Sequence, residues 1–211
     1  MKVVVFGAHG EIGEHVIKKL KQKKYQSLAV VGKEMQMEGA KNRGADETAV
    51  FEEMRMEDFL DGGCTVIYLS DVNQKAQSDK TVLIDHDGLE ETVKKAKENG
   101  VHRFIMLSAV KAHENTEEPG NPSRIGGKHK ADEYLRESGL NYTVILPGKL
   151  TDQPGTGKIL VSEAGRGERD EISRDDIAAV LVEAIEIENV FNKTISVTAG
   201  KKEIAEALAD F

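Results

Sequence analysis

Residues Gly7–Gly13 read GAHGEIG, three glycines at the spacing G-x-x-G-x-x-G between an apolar run and an amphipathic segment. Each glycine meets a separate need of a turn that cradles phosphate. Gly7 permits the tight turn, Gly10 lets backbone approach a pyrophosphate, and Gly13 lets the following helix pack close to the preceding strand. The helix would add free N–H groups and a partial positive charge at its start. His9, Glu11 and Ile12 fall between these glycines and belong to the same candidate dinucleotide site. The next apolar run ends VVGK, and a basic residue there can meet a 2′-phosphate where an acidic one would take ribose hydroxyls. Lys33 therefore favours NADP(H), with NAD(H) left open, while Glu11 puts a negative charge near the entrance.

A second stretch, SRIGGKHK at Ser123–Lys130, sets Arg124 and Lys128 four residues apart with two glycines between them. Gly126 and Gly127 oppose a helix there, at roughly 1 kcal/mol each relative to Ala. Arg124 cannot donate a proton near neutrality. It suits an anionic substrate group or an exposed loop. Neither IGGK at 125–128 nor GTGK at 155–158 has the earlier glycine and following hydroxyl of a P-loop. No G-x-S-x-G elbow is present. Asp85, His86 and Asp87 are adjacent on a predicted helix, point in different directions and cannot chelate from one face. No metal is expected.

Positioning these groups requires a sheet. Val3–Phe6, Leu28–Val31, Val66–Leu69, Phe104–Leu107 and Thr143–Leu146 are short, rich in Val and Ile, and apolar on both faces. That pattern predicts buried parallel strands. Ala49–Phe51 is a weaker strand candidate and Thr194–Thr198 a late one. Between them lie amphipathic helices: one after Gly13 with Val16 and Leu20, one from Asp79 to Asn99 stopped by Gly100, and one from Ser173 with Ile177, Val180 and Leu181 inward. Ser173 with Asp176 predicts a capping box, and Ile172 with Ile177 a hydrophobic staple. Alternating strand and helix predicts an α/β fold: a doubly wound, mostly parallel sheet with helices on both faces. Polar stretches at 111–127 and 149–173 read as loops above the carboxyl edge, where such sheets bind ligands. The lysines of KKLKQKK at 18–24 read as a solvated helix end.

The 211 residues suffice for one domain spanning 1–211. The net charge of −8 argues against nucleic acid or an anionic membrane as partner, and aromatics at 5% with no Trp argue against base stacking. No apolar run reaches the ~20 residues of a membrane span. Cys64 is the single cysteine, VVVF runs directly into the glycine loop, and together they suit a cytoplasmic protein without a signal peptide. Monomer and homodimer are both compatible with helices on both faces.

Four further stretches join GAHGEIG: SDKTVLIDHDG at Ser78–Gly88, RFIMLSAV at Arg103–Val110, KHKADEYLRESGLNYTVILPGKLTDQPGTGKI at Lys128–Ile159, and ISRDDIA at Ile172–Ala178. With them the chain resembles an atypical short-chain dehydrogenase/reductase nearly end to end. It is similar to the single-domain NAD(P)H-binding group that includes NmrA-like proteins and biliverdin reductase B/flavin reductase. The resemblance implies a Rossmann fold, Ser108 beside the nicotinamide, Lys128 on its ribose, Pro147 and Gly148 flanking the nicotinamide end, and Ser70 against the cofactor. Three departures matter. Arg124 replaces the tyrosine of the family's Tyr-x-x-x-Lys, LSDV at 69–72 lacks the usual small-residue ending, and Leu146 stands where Arg is common.

Two functions from different classes fit these residues. One is an NADPH-dependent reductase passing hydride to a small acceptor that needs no tyrosine acid, of flavin, quinone or tetrapyrrole type. There Ser108 and Lys128 would be the catalytic residues and Arg124 would bind the substrate. The other is a non-catalytic NADP(H)-binding sensor. A nucleotide-sugar epimerase or dehydratase fits less well, because the tyrosine and a C-terminal substrate domain are missing.

Overall fold

The computed structural model describes residues 1–51, 55–69, 86–108, 133–164 and 170–211, with only the backbone of His86 and Asp87. Five central strands run parallel: β1 (Lys2–Phe6), β2 (Gln26–Val31), β4 (Cys64–Leu69), β5 (Arg103–Leu107) and β6 (Tyr142–Pro147). β3 (Glu47–Val50) extends one side. β10 (Lys193–Ala199), β8 (Lys158–Glu163) and β11 (Lys202–Glu203) extend the other. Among the described residues the order is β11-β8-β10-β6-β5-β4-β1-β2-β3. The chain moves outward from β1 in both directions, so a switch point lies between β1 and β4, where doubly wound sheets bind nucleotides.

Register fixes which residues share the carboxyl edge. Phe6 lies level with Val30 on one side and Tyr68 on the other, Tyr68 with Met106, and Met106 with Val144. Gly7, Ser108 and Pro147 each follow this line by one to three residues, so all emerge at one edge.

Alternation along each strand divides the core in two. Val3, Val5, Ala29, Val31, Ile67, Ile105 and Ile145 pack on one face, beneath α1 (Glu11–Gln22), α4 (Arg174–Glu183) and α5 (Ile204–Ala209). Val4, Phe6, Val30, Val66, Tyr68, Phe104 and Val144 pack on the other, with Leu89, Val93 and Ala96 of α3 (His86–Glu98). Both faces are covered, which accounts for strands that are apolar throughout. α1 places Glu11 and Glu14 in its first turn and Lys19 and Lys21 in its last, in accord with the helix dipole. α3 ends at Gly100, whose φ of +68° supplies the left-handed stop.

Several expectations need correction. The polar stretch 149–173 is not simply a loop. It contains β7 (Lys149–Thr151), β8 and β9 (Glu171–Ser173), with β7 and β9 forming a separate parallel pair. β8 runs antiparallel to β10, so its register needs no crossover helix. The third strand covers Glu47–Val50 rather than Ala49–Phe51. The short helix α2 (Met37–Asn42) was not anticipated. The lysine cluster is not merely solvated: Lys19 Nζ reaches Asp175 at 2.9 Å and Lys23 Nζ reaches Glu183 at 2.8 Å. These pairs tie α1 to α4. The stretch 111–127 lies outside the described residues, as does the expected helical span before His86.

One buried cation holds the opposite edge. Arg103, fully buried at the start of β5, donates to the carbonyls of Asn141 (2.9 Å) and Ala184 (3.1 Å) and to the Thr143 hydroxyl. Its guanidinium lies 3.9 Å from the Phe191 ring centroid. Burial pulls its pKa down to about 9, so it remains charged at neutral pH.

Candidate functional site

The glycine loop has the shape the sequence implies, and each glycine answers to a different contact. Gly7 has φ +77°, and a Cβ there would lie 2.7 Å from the Leu69 carbonyl oxygen. A Cβ on Gly13 would lie 2.7 Å from the backbone of Ala8, so only glycine lets α1 pack this close to the end of β1. Gly10 differs. Its φ is −78° and its nearest neighbour would be the Gly7 oxygen at 3.7 Å. Internal packing does not require a glycine at 10, whereas close approach of a pyrophosphate to the backbone does.

The loop is tied down by Ala8 donating to the Val30 carbonyl and Gly10 donating to the Gly7 carbonyl. The first bond of α1 runs from Glu14 N–H to the Gly10 carbonyl at 2.9 Å. Gly10 is the N-cap and offers no side-chain acceptor. The first-turn N–H groups, which have no intrahelical carbonyl, are therefore available to an anion. α4 contrasts with this, because the Ser173 hydroxyl accepts from Asp176 N–H at 2.9 Å. The residues present thus fit a dinucleotide pyrophosphate.

Ile12 is buried beneath the loop and His9 is half-buried within it. Lys33 follows β2 by two residues at the same edge and is half-buried. The Gln36 side chain accepts from the N–H groups of Gly32 (3.1 Å) and Lys33 (2.9 Å), which fixes that turn. Ser108 follows β5 directly, is fully buried, and donates its N–H to Ile145 at 2.9 Å. Pro147 ends β6. Gly148 has an internal reason to be glycine, since a Cβ would lie 2.1 Å from the Asp170 carbonyl oxygen. Ser70, Arg124 and Lys128 lie outside the described residues.

Glu11 does not stand alone at the entrance. Its Oε2 lies 2.8 Å from Arg174 Nε, and Arg174 Nη1 lies 2.6 Å from Asp152 Oδ1. Arg174 begins α4, and the two residues after it are also engaged. Asp175 meets His15 Nδ1 at 3.1 Å and Lys19 at 2.9 Å, while Asp176 accepts from the N–H groups of Thr156 and Gly157 at 2.9 and 2.8 Å. Half of the expected capping box is present: Ser173 caps Asp176, but the Asp176 carboxylate serves the 156–157 turn. Sequence reasoning missed Arg174. The signal was available, because a cation in the first turn of a helix opposes the dipole and needs a separate reason.

All four tyrosines of the chain are described, and their placement bears on acid catalysis. Tyr68 is buried between Phe6 and Phe104, at centroid distances of 5.7 and 6.2 Å. Tyr142 opens β6 at the far edge. Tyr25 donates to Glu186 Oε1 at 2.5 Å beyond the end of α1, with burial and then this bond raising its pKa. Tyr134 is exposed on the helical segment 133–137. Only Tyr68 comes near the glycine loop, level with Phe6, and its ring is packed into the core. Among the described residues, no helix is long and apolar enough to cross a membrane.

Residues 7–188 match the NAD(P)H-binding family. A Bacillus subtilis protein named uncharacterized sugar epimerase YhfK is 37% identical over 99% of each chain. Sanguinarine reductase of Eschscholzia californica is 30% identical over 61% of this chain and 50% of its own. A solved structure from Bacillus halodurans, assigned by name to the NAD-dependent epimerase/dehydratases, superposes with a TM-score of 0.86 at 31% identity over all of both chains. With its Rossmann-type sheet and glycine loop, the chain belongs to the NAD(P)H-binding family.

Proposed function

We propose that the protein is an NADPH-dependent oxidoreductase that passes hydride to a small acceptor requiring no tyrosine acid, of flavin, quinone or tetrapyrrole type. One observation carries this reading: a glycine loop fit for a dinucleotide stands at an edge where Tyr68, level with Phe6, has its ring buried in the core between Phe6 and Phe104, while Tyr25, Tyr134 and Tyr142 lie elsewhere. When bound, NADPH supplies the hydride. The chain's part is to bind, orient and exclude water, and positioning alone contributes several kcal/mol to such reactions. Ser108, at the shared edge, orients the acceptor; Lys128 anchors the nicotinamide ribose; Arg124 takes an anionic substrate group. The acceptor draws its proton from water. The sanguinarine reductase relative is named for reductase chemistry. The epimerase names of two other relatives suit this chain less, because sugar epimerases of this fold use the tyrosine that Arg124 replaces.

The same displaced tyrosines also favour a second function, a non-catalytic NADP(H) sensor. An acceptor panel separates the two. Loss of NADPH absorbance with FMN or a quinone, diminished in S108A and K128A, supports the reductase. Tight NADPH binding without oxidation by any acceptor refutes it in favour of the sensor. The preference for NADP(H) over NAD(H) rests on Lys33, and equal affinities of the wild type for NADPH and NADH would refute it.

A further inference from the structure

Arg174 occupies an unfavourable position for a cation. It is the first residue of α4, where the helix dipole favours acids, and Asp175 and Asp176 follow it. Its side chain is only 17% exposed, and its guanidinium bridges two carboxylates from other elements, Glu11 Oε2 at 2.8 Å and Asp152 Oδ1 at 2.6 Å. Asp152 follows β7 and is largely exposed. Glu11 is the first residue of α1, directly after Gly10. Its carboxylate therefore stands at the helix end whose N–H groups suit a pyrophosphate.

That arrangement creates a conflict of charge. A dinucleotide pyrophosphate carries two negative charges, and an uncompensated carboxylate on the adjacent turn would repel it. At a separation of ~7 Å and an effective dielectric between those of water and the protein surface, this repulsion weakens binding by about tenfold. Arg174 is the cation the structure sets against that carboxylate.

We propose that Arg174 is a positioning residue of the dinucleotide site, which neutralises Glu11 so that the start of α1 can receive a pyrophosphate. The inference rests on the glycine loop as the nucleotide site and adds a residue that no motif of the loop contains. Arg174 acts through Glu11 and needs no contact with the nucleotide. Its ion pairs also join the start of α1 to the segment after β7.

Direct titration of NADPH, followed by nucleotide fluorescence or calorimetry, tests this in wild type, R174Q, R174K, E11Q and E11Q/R174Q. R174Q should weaken binding about tenfold in dilute buffer, with the deficit shrinking as salt screens Glu11. R174K keeps the charge and should stay within about threefold of wild type. E11Q alone should bind at least as tightly as wild type, a result that does not depend on R174Q folding. The double variant E11Q/R174Q should recover most of the lost affinity, which repair of a merely structural defect would not do. Wild-type affinity in R174Q, weakened binding in E11Q, or no recovery in the double variant would each overturn the role of Arg174 alone. A wild type that binds neither NADPH nor NADH would overturn the glycine-loop assignment and this inference together.

Discussion

Replacing Gly10 and Gly13 by alanine, one at a time, separates a glycine kept for a ligand from one kept for the fold. A Cβ on Gly10 meets nothing nearer than 3.7 Å, and its φ of −78° suits alanine. Alanine is a poorer N-cap than glycine, but it restricts the unfolded chain, and the two effects of about 0.5–1 kcal/mol each nearly cancel. Gly10→Ala should therefore unfold in urea with a free energy within about 1 kcal/mol of wild type. Nucleotide binding should respond differently. A methyl placed where a phosphate must approach is an overpacking of about 1–3 kcal/mol, or roughly 5- to 150-fold in the dissociation constant for NADPH. Gly13→Ala reverses the pattern. Its Cβ would sit 2.7 Å from the Ala8 backbone on an element that cannot yield locally, so stability itself falls by about 1–3 kcal/mol. The assay is paired: urea denaturation for stability and NADPH fluorescence for affinity. If Gly10→Ala binds NADPH like wild type, the loop does not present its backbone to a pyrophosphate. If it destabilises as much as Gly13→Ala, Gly10 is structural.

Arg103→Ala should cost about 3–5 kcal/mol in urea denaturation, because it leaves a cavity and removes donors from the buried Ala184 carbonyl and Thr143 hydroxyl. Arg103→Met keeps the volume and removes a buried charge, so it should cost less; equal losses would show that packing volume is not what Arg103 contributes. Tyr25→Phe should change the alkaline limb of stability. The folded pKa of Tyr25 is raised, so its contribution is whole below the ordinary tyrosine value of about 10 and is lost as pH rises beyond it. Denaturation midpoints from pH 8 to 11 should fall more steeply in wild type than in Tyr25→Phe; parallel curves would refute the assignment. Asp176→Ala should release the 156–157 turn, read as faster proteolysis within 152–158 while β10 stays protected.

What could be read from the sequence was what depends on local pattern. β1, β2, β4, β5 and β6 are apolar at every central position because both faces of the sheet are covered, and such runs need no partner to be recognised. The same criterion misses β8. Its Ile159 is buried while the adjacent Leu160 is 55% exposed, so an apolar residue on the solvent side conceals the alternation. β7 and β9 are three residues each, and neither carries a pattern apart from its partner. The glycine loop was legible because its demands come from a strand end and a helix start that are adjacent in sequence.

Arg103 and Arg174 were not legible for the opposite reason. Arg103 looks like the polar first residue of a strand, and its acceptors lie 38 and 81 residues away. Arg174 looks like an ordinary charge in RDD, and Glu11 and Asp152 become its neighbours only when α4 packs against α1 and the β7–β9 pair. In both cases the guanidinium satisfies groups that folding brings together from distant segments. One secures the amino edge of the sheet, the other the carboxyl edge where a nucleotide must bind. The charge at an exposed residue such as Glu11 therefore acquires its meaning for binding only through the cation that the fold sets against it.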